Sequence, residues 1–149
     1  MEEKKDLEVM LRSGTPVGFF PQGNSMRPTI VPGRDSVVVE PLDEKRIKRG
    51  EVLLFRRPAD APVLPGKLIL HRVWKVKKDG IYMVGDNEKQ VEGPLERDCF
   101  LGVMTELKRK GKTIKVTNLL YRFLTKFWLI LRPVRFVVVK PFNLFRKKS

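Results

Sequence analysis

LILHRVWKVKKDGIYMVGDN, residues 68–87, reads as two strands folded back on one another. LILHRVWKV and IYMV are rich in β-branched and aromatic residues, and the Asp79-Gly80 pair between them is a strong hairpin signal. Outward from this hairpin the same pattern recurs. TPVGFFPQ (15–22) is an apolar run closed by turn residues, and VPGRD (31–35) is a turn leading into SVVVEPL (36–42). IKRGEVLLFRRP (47–58) places an apolar run after a glycine, and CFLGVMTELK (99–108) and KTIKV (112–116) repeat the arrangement around residues 109–111. PADAPVLPG (58–66) holds three prolines and reads as a surface loop. Strands joined by short turns, without intervening helices, predict a mainly β, antiparallel sheet or barrel over residues 16–116.

Two helical segments flank it. Residues 2–12 read as a short helix ending at Gly14, which makes residues 1–15 an N-terminal arm with Val9, Met10 and Leu11 as its grip. In residues 117–149 the period changes. Leu120, Phe123, Leu124, Phe127 and Leu131 fall at helical spacing, Thr117 or Asn118 can cap the helix, and Pro133 stops it. A second apolar-basic segment, VRFVVVKPFNLFRKK (134–148), follows.

The chain has 149 residues, the length of one domain, and 42% hydrophobic content, which fits a globular class. One cysteine excludes a disulfide framework, and one histidine excludes a His-rich metal site, so neither a metal nor a cofactor is expected. GKTIK (111–115) lacks the upstream glycine of a Walker motif. The net charge of +14 is uneven: residues 107–149 hold thirteen Lys/Arg and no Asp/Glu, a net of +13. A basic tail implies an anionic partner, phospholipid or nucleic acid. The tail is richer in Leu, Phe and Val than a solvated nucleic-acid arm needs, which makes nucleic acid the less favoured partner. Phe123, Phe127, Trp128 and Leu131 beside Arg122, Lys126, Arg132 and Arg135 suit a helix in an anionic membrane interface. The same stripe suits docking on the domain, and amphipathicity alone does not separate the two. The start is charged and no run approaches the roughly 20 apolar residues of a spanning helix. The expected address is cytoplasmic, with peripheral attachment at the inner face of the membrane as the variant.

Few residues offer chemistry. Ser25 lies in GNSMRPT, between a strand and a turn, with Gly23 two residues before it; a sharp turn there leaves amide N–H groups facing outward, as an oxyanion hole needs. Spacing alone favours a plain turn serine. His71 sits in an apolar strand, on the face of Ile69 and Val73 and opposite Leu70 and Arg72. Such a histidine is more often a core residue, yet a serine nucleophile needs a base poised near neutrality and this is the one histidine. Asp86, at a strand end, is either a turn residue or the carboxylate that holds His71 in the right tautomer, with Glu88 and Glu92 as competitors. Cys99 opens an apolar stretch and reads as a buried, inert thiol.

Taken in order, GNSMRPTI, a valine-rich strand, IKRGEVLLF, LILHRV and YMVGDN resemble the type I signal peptidase family, whose clan includes the self-cleaving domains of SOS-type repressors. The resemblance spans roughly residues 16–106 and implies the antiparallel β fold of that clan, here followed by a basic amphipathic helix and not preceded by the family's usual spanning helix. It also implies a serine endopeptidase that cleaves a leader or precursor peptide. The family's nucleophile falls on Ser25, the base of its histidine-using branch on His71, and its acidic GDN residue on Asp86. That branch carries a further aspartate six residues on, where this chain has Glu92. The Ser25 N–H is the first oxyanion donor the resemblance implies. The serine that many bacterial members place two residues before the nucleophile is Gly23 here, leaving the Asn24 amide as the candidate second donor. Two other readings stand beside it. One is a self-cleaving regulator, for which residues 1–24 are too few for a helix-turn-helix domain and no Ala-Gly bond is present. The other is a non-catalytic β domain that binds an anionic partner through its tail.

Overall fold

The structure is a computed structural model that describes residues 2–42 and 47–133. The segment 134–148 and Arg135 lie outside the described residues. In chain order the elements are α1 (Glu2–Arg12), β1 (Val17–Phe19), β2 (Asp35–Pro41), β3 (Val52–Arg56), β4 (Leu68–Lys77), β5 (Gly80–Val84), β6 (Glu92–Leu95), a 3-10 turn (Arg97–Cys99), β7 (Phe100–Arg109), β8 (Lys112–Lys115) and α2 (Leu119–Ile130). The fold is mainly β: one antiparallel sheet of eight strands, in the order β1-β2-β7-β3-β4-β5-β6, with β8 added to β7. One edge of β7 takes β2, and the other takes β3 along its first residues and β8 along its last.

β3 shows why its sequence does not alternate. Val52 and Leu54 enter one core cluster, with Val37, Leu70, Met104 and Leu107, while Leu53 and Phe55 enter a second, with Val73, Met83 and Phe100. A strand buried on both faces reads as a continuous apolar run. β4 divides the same way. Leu70 joins the first cluster, and His71 lies beyond it on the face of Ile69 and Val73, opposite Arg72. The β4–β5 hairpin is closed by the Lys77–Gly80 pair, so its two turn residues are Lys78 and Asp79 and the expected turn glycine begins β5. Strand β6 has no counterpart among the sequence-predicted strands. It contains Gly93-Pro94, a turn signature, and a proline is tolerated there because β6 is an edge strand paired only with β5.

Both helices form where expected. α1 sets Leu7 and Leu11 against the first cluster, while Val9 and Met10, expected to share the grip, are exposed because they fall on the helix's outer side; Glu8 accepts from Arg56 of β3 and from Arg12. α2 is capped by Asn118, whose side chain accepts from the Tyr121 N–H at 3.1 Å. Its inward face is Thr125 and Leu129, with Tyr121 and Trp128 half-buried. The apolar stripe, which in sequence suited docking and membrane contact alike, faces away from the domain: Leu120, Phe123, Leu124 and Phe127 are more than half exposed. Among the described residues no helix is long and apolar enough to cross a membrane.

Candidate functional site

The site forms where two turns meet. Ser25 lies in the turn after β1, half-buried. Gly23 before it has φ +83°, and a Cβ there would touch nothing within 4 Å, so backbone conformation and not space calls for glycine. Met26 and Ile30 are buried in the first core cluster and pin the turn to the sheet. The second turn, Gly85-Asp86-Asn87, clasps the first. The Asn87 N–H donates to the Ser25 carbonyl at 2.8 Å, and the Asn87 side chain donates to the Asn24 carbonyl at 3.2 Å. The Asn24 side-chain oxygen accepts from Arg27 at 2.7 Å. Among the described residues the Ser25 N–H has no acceptor.

Gly85 is the crossing point. A Cβ on it would stand 2.6 Å from the Ser25 carbonyl oxygen, 2.7 Å from Glu88 Cγ and 3.2 Å from His71 Nε2. No side chain fits, and its absence lets the serine turn and the imidazole converge. Among the described residues there is no hydrogen bond between Ser25 Oγ and His71.

The imidazole is held from its far side. His71 pairs with Leu53 across the β3–β4 ladder, lies edge-on to Phe55 with ring centroids 6.1 Å apart, and is buried. Its Nδ1 is 3.3 Å from Glu92 Oε1, a contact that falls short of a hydrogen bond. Glu92, at the start of β6, is gripped by both forks of Arg57 at 3.0 and 3.1 Å. Burial pushes the Glu92 carboxyl up, but the contacts with His71 and Arg57 outweigh it and hold the group below its ordinary value. Arg57, the first residue after β3, is fixed in turn by backbone bonds to Lys67 and Gly66 at the neck of the proline-rich loop.

Asp86 goes elsewhere, which corrects its expected place beside His71. Its carboxylate meets the Arg72 guanidinium at 2.8 Å through both oxygens and is hydrogen-bonded to the Thr29 hydroxyl. Strand parity is the reason. Arg72 pairs with Val84, Asp86 lies two residues further along, and both fall on the face opposite His71. Arg72 also donates to the Gly50 carbonyl at 2.8 Å. Burial pulls its pKa down, and the adjacent Asp86 charge more than reverses this, holding the guanidinium firmly protonated. α2 seals the pair: the Tyr121 hydroxyl lies close to Arg72, and Trp128 Nε1 donates to the Asp86 carbonyl at 2.9 Å. The carboxylate beside His71 is therefore Glu92, and Asp86 ties the serine turn to the sheet.

A cleft of about 180 Å3 opens at Ser25, lined by Phe19, Met26, Leu54, Leu68 and Leu70 and by Leu7 of α1. Cys99 lies outside it, half-buried, its thiol pushed up by burial. Among the described residues no group of three or more His, Cys, Asp or Glu is placed to hold a metal. Sequence reasoning did not single out Arg57, Thr29 or the inward role of Trp128. The paired arginines that close β3 and the threonine four residues after Ser25 were visible, but neither carries a signal until the sheet register sets its partner.

No known protein family, curated protein or solved structure matches this chain.

Proposed function

We propose that this chain is a serine endopeptidase resembling type I signal peptidases, acting on a leader or precursor peptide by acyl transfer. The observation that carries the reading is the convergence at Gly85 of the Ser25 turn and His71 Nε2, with Glu92 on the opposite ring nitrogen. A carboxylate at Nδ1 favours the tautomer in which Nε2 is free to take a proton, and it stabilises the imidazolium that results. His71 accepts the Ser25 proton as the hydroxyl attacks the peptide carbonyl, then returns it to the departing amine. The Ser25 N–H, which has no acceptor among the described residues, is the donor this reading assigns to the oxyanion. Water then hydrolyses the acyl-enzyme by the same proton relay.

The cleft supports a peptide substrate. β1 pairs only with β2, and Leu68–Leu70 of β4 have no partner on the β5 side. Residues from both segments line the cleft, so an extended peptide can lie between two strand edges with its apolar side chains against Leu54, Met26 and Ile30. Incubation with a peptide library, read by mass spectrometry, tests the proposal. Cleavage that disappears in both Ser25→Ala and His71→Gln, each still folded by far-UV circular dichroism, supports it; undiminished cleavage in either variant removes it.

A further inference from the structure

α2 carries two faces with opposite tasks. Its inner face is committed to the domain through Trp128 to the Asp86 carbonyl and Tyr121 beside Arg72, and just past its end Arg132 donates to the Lys89 carbonyl and lies over the Trp74 ring at 5.1 Å. Its outer face is Leu119, Leu120, Phe123, Leu124, Phe127 and Ile130, all more than half exposed, with Phe123 and Phe127 stacked at 6.3 Å. Six large apolar side chains in one stripe on a twelve-residue helix form a contiguous patch, not the scattered exposure of an ordinary surface.

Charge decides what covers the stripe. α2 contains no acidic residue, and its exposed charges are Arg122 and Lys126. The β7–β8 hairpin that leads into it adds the exposed Lys108, Lys110, Lys112 and Lys115. A symmetric dimer through this patch would bring the Arg122 and Lys126 cations of two copies together, with no acidic residue on α2 to offset them. An anionic bilayer accepts the apolar stripe among its acyl chains and the cations among its headgroups.

We infer that α2 is an interfacial helix that seats the domain on an anionic lipid surface, with the outer stripe in the bilayer and the inner face gripping the Gly85-Asp86-Asn87 turn. The inference does not rest on the peptidase reading, and Ser25→Ala protein serves equally well. The test is flotation of the full chain with phosphatidylcholine vesicles, with and without phosphatidylglycerol. Binding is expected with phosphatidylglycerol and is expected to weaken with salt. The exposed-site double variant Phe123→Ser/Phe127→Ser is expected to lower it by about tenfold or more. Each of Arg122→Gln and Lys126→Gln is expected to lower it by about fivefold. Three results would overturn it: no flotation with either vesicle, flotation untouched by the Phe123/Phe127 variant, or vesicle-free self-association that this variant abolishes.

Discussion

His71 and Arg72 are neighbours on one strand, each meets a carboxylate, and the two meetings differ in kind. On one face the Arg72–Asp86 pair is dry, bidentate and completed by Gly50, Thr29 and α2. On the other, His71 touches Glu92 loosely at 3.3 Å, and Glu92 remains 27% exposed under its Arg57 clamp. A buried, fully satisfied ion pair locks geometry; a partly exposed carboxylate behind an imidazole leaves the other ring nitrogen free to take up and release a proton. The structure thus divides one β-strand into a clasp and a candidate base.

Breaking the base side gives the largest expected effect. His71→Gln is expected to lower peptide cleavage by about 10⁴-fold or more, the scale seen when a serine enzyme loses its general base. Breaking the clasp moves stability instead. Asp86→Asn leaves a buried guanidinium without its counter-charge and is expected to cost about 3–5 kcal/mol in denaturant unfolding. Glu92→Gln reverses that order: cleavage falls by up to about 10⁴-fold, while unfolding stability changes by less than about 1 kcal/mol, because the pair is partly solvated.

pH separates the two faces further. The native Glu92 carboxyl lies below its ordinary value, so its ionised contacts contribute stability above the usual glutamate range, about 4.3. That contribution is lost as pH falls through the lowered native value. Denaturation at pH 5 and pH 3 is therefore expected to show a smaller acid loss in Glu92→Gln than in wild type. Arg57→Gln is the mildest change. It removes the clamp but not the carboxylate, so the Glu92 titration followed by NMR moves upward and cleavage drops by about tenfold.

The hairpin over 68–87, the turn serine and both helices were legible in sequence because their signals are local: β-branched runs, an Asp-Gly turn, a 3.6 period, an Asn cap. The pairing of carboxylates was not. Asp86 lies two residues past the end of β5 and Glu92 six residues later, and only the register that sets Arg72 opposite Val84 decides which of them faces His71. β6 escaped for a related reason. Glu92–Leu95 is a strand by virtue of an edge it joins, and its Gly-Pro pair argues locally against one. α2 shows the same limit: periodicity found the apolar stripe, but the contacts of Tyr121 and Trp128 turned it outward.

The most direct test of the central claim is where a covalent acyl probe lands. The chain is treated with a β-lactam-type inhibitor, digested, and the adduct mapped by mass spectrometry. The account predicts an adduct on the peptide containing Ser25, absent from both Ser25→Ala and His71→Gln. An adduct of equal yield in Ser25→Ala would contradict it.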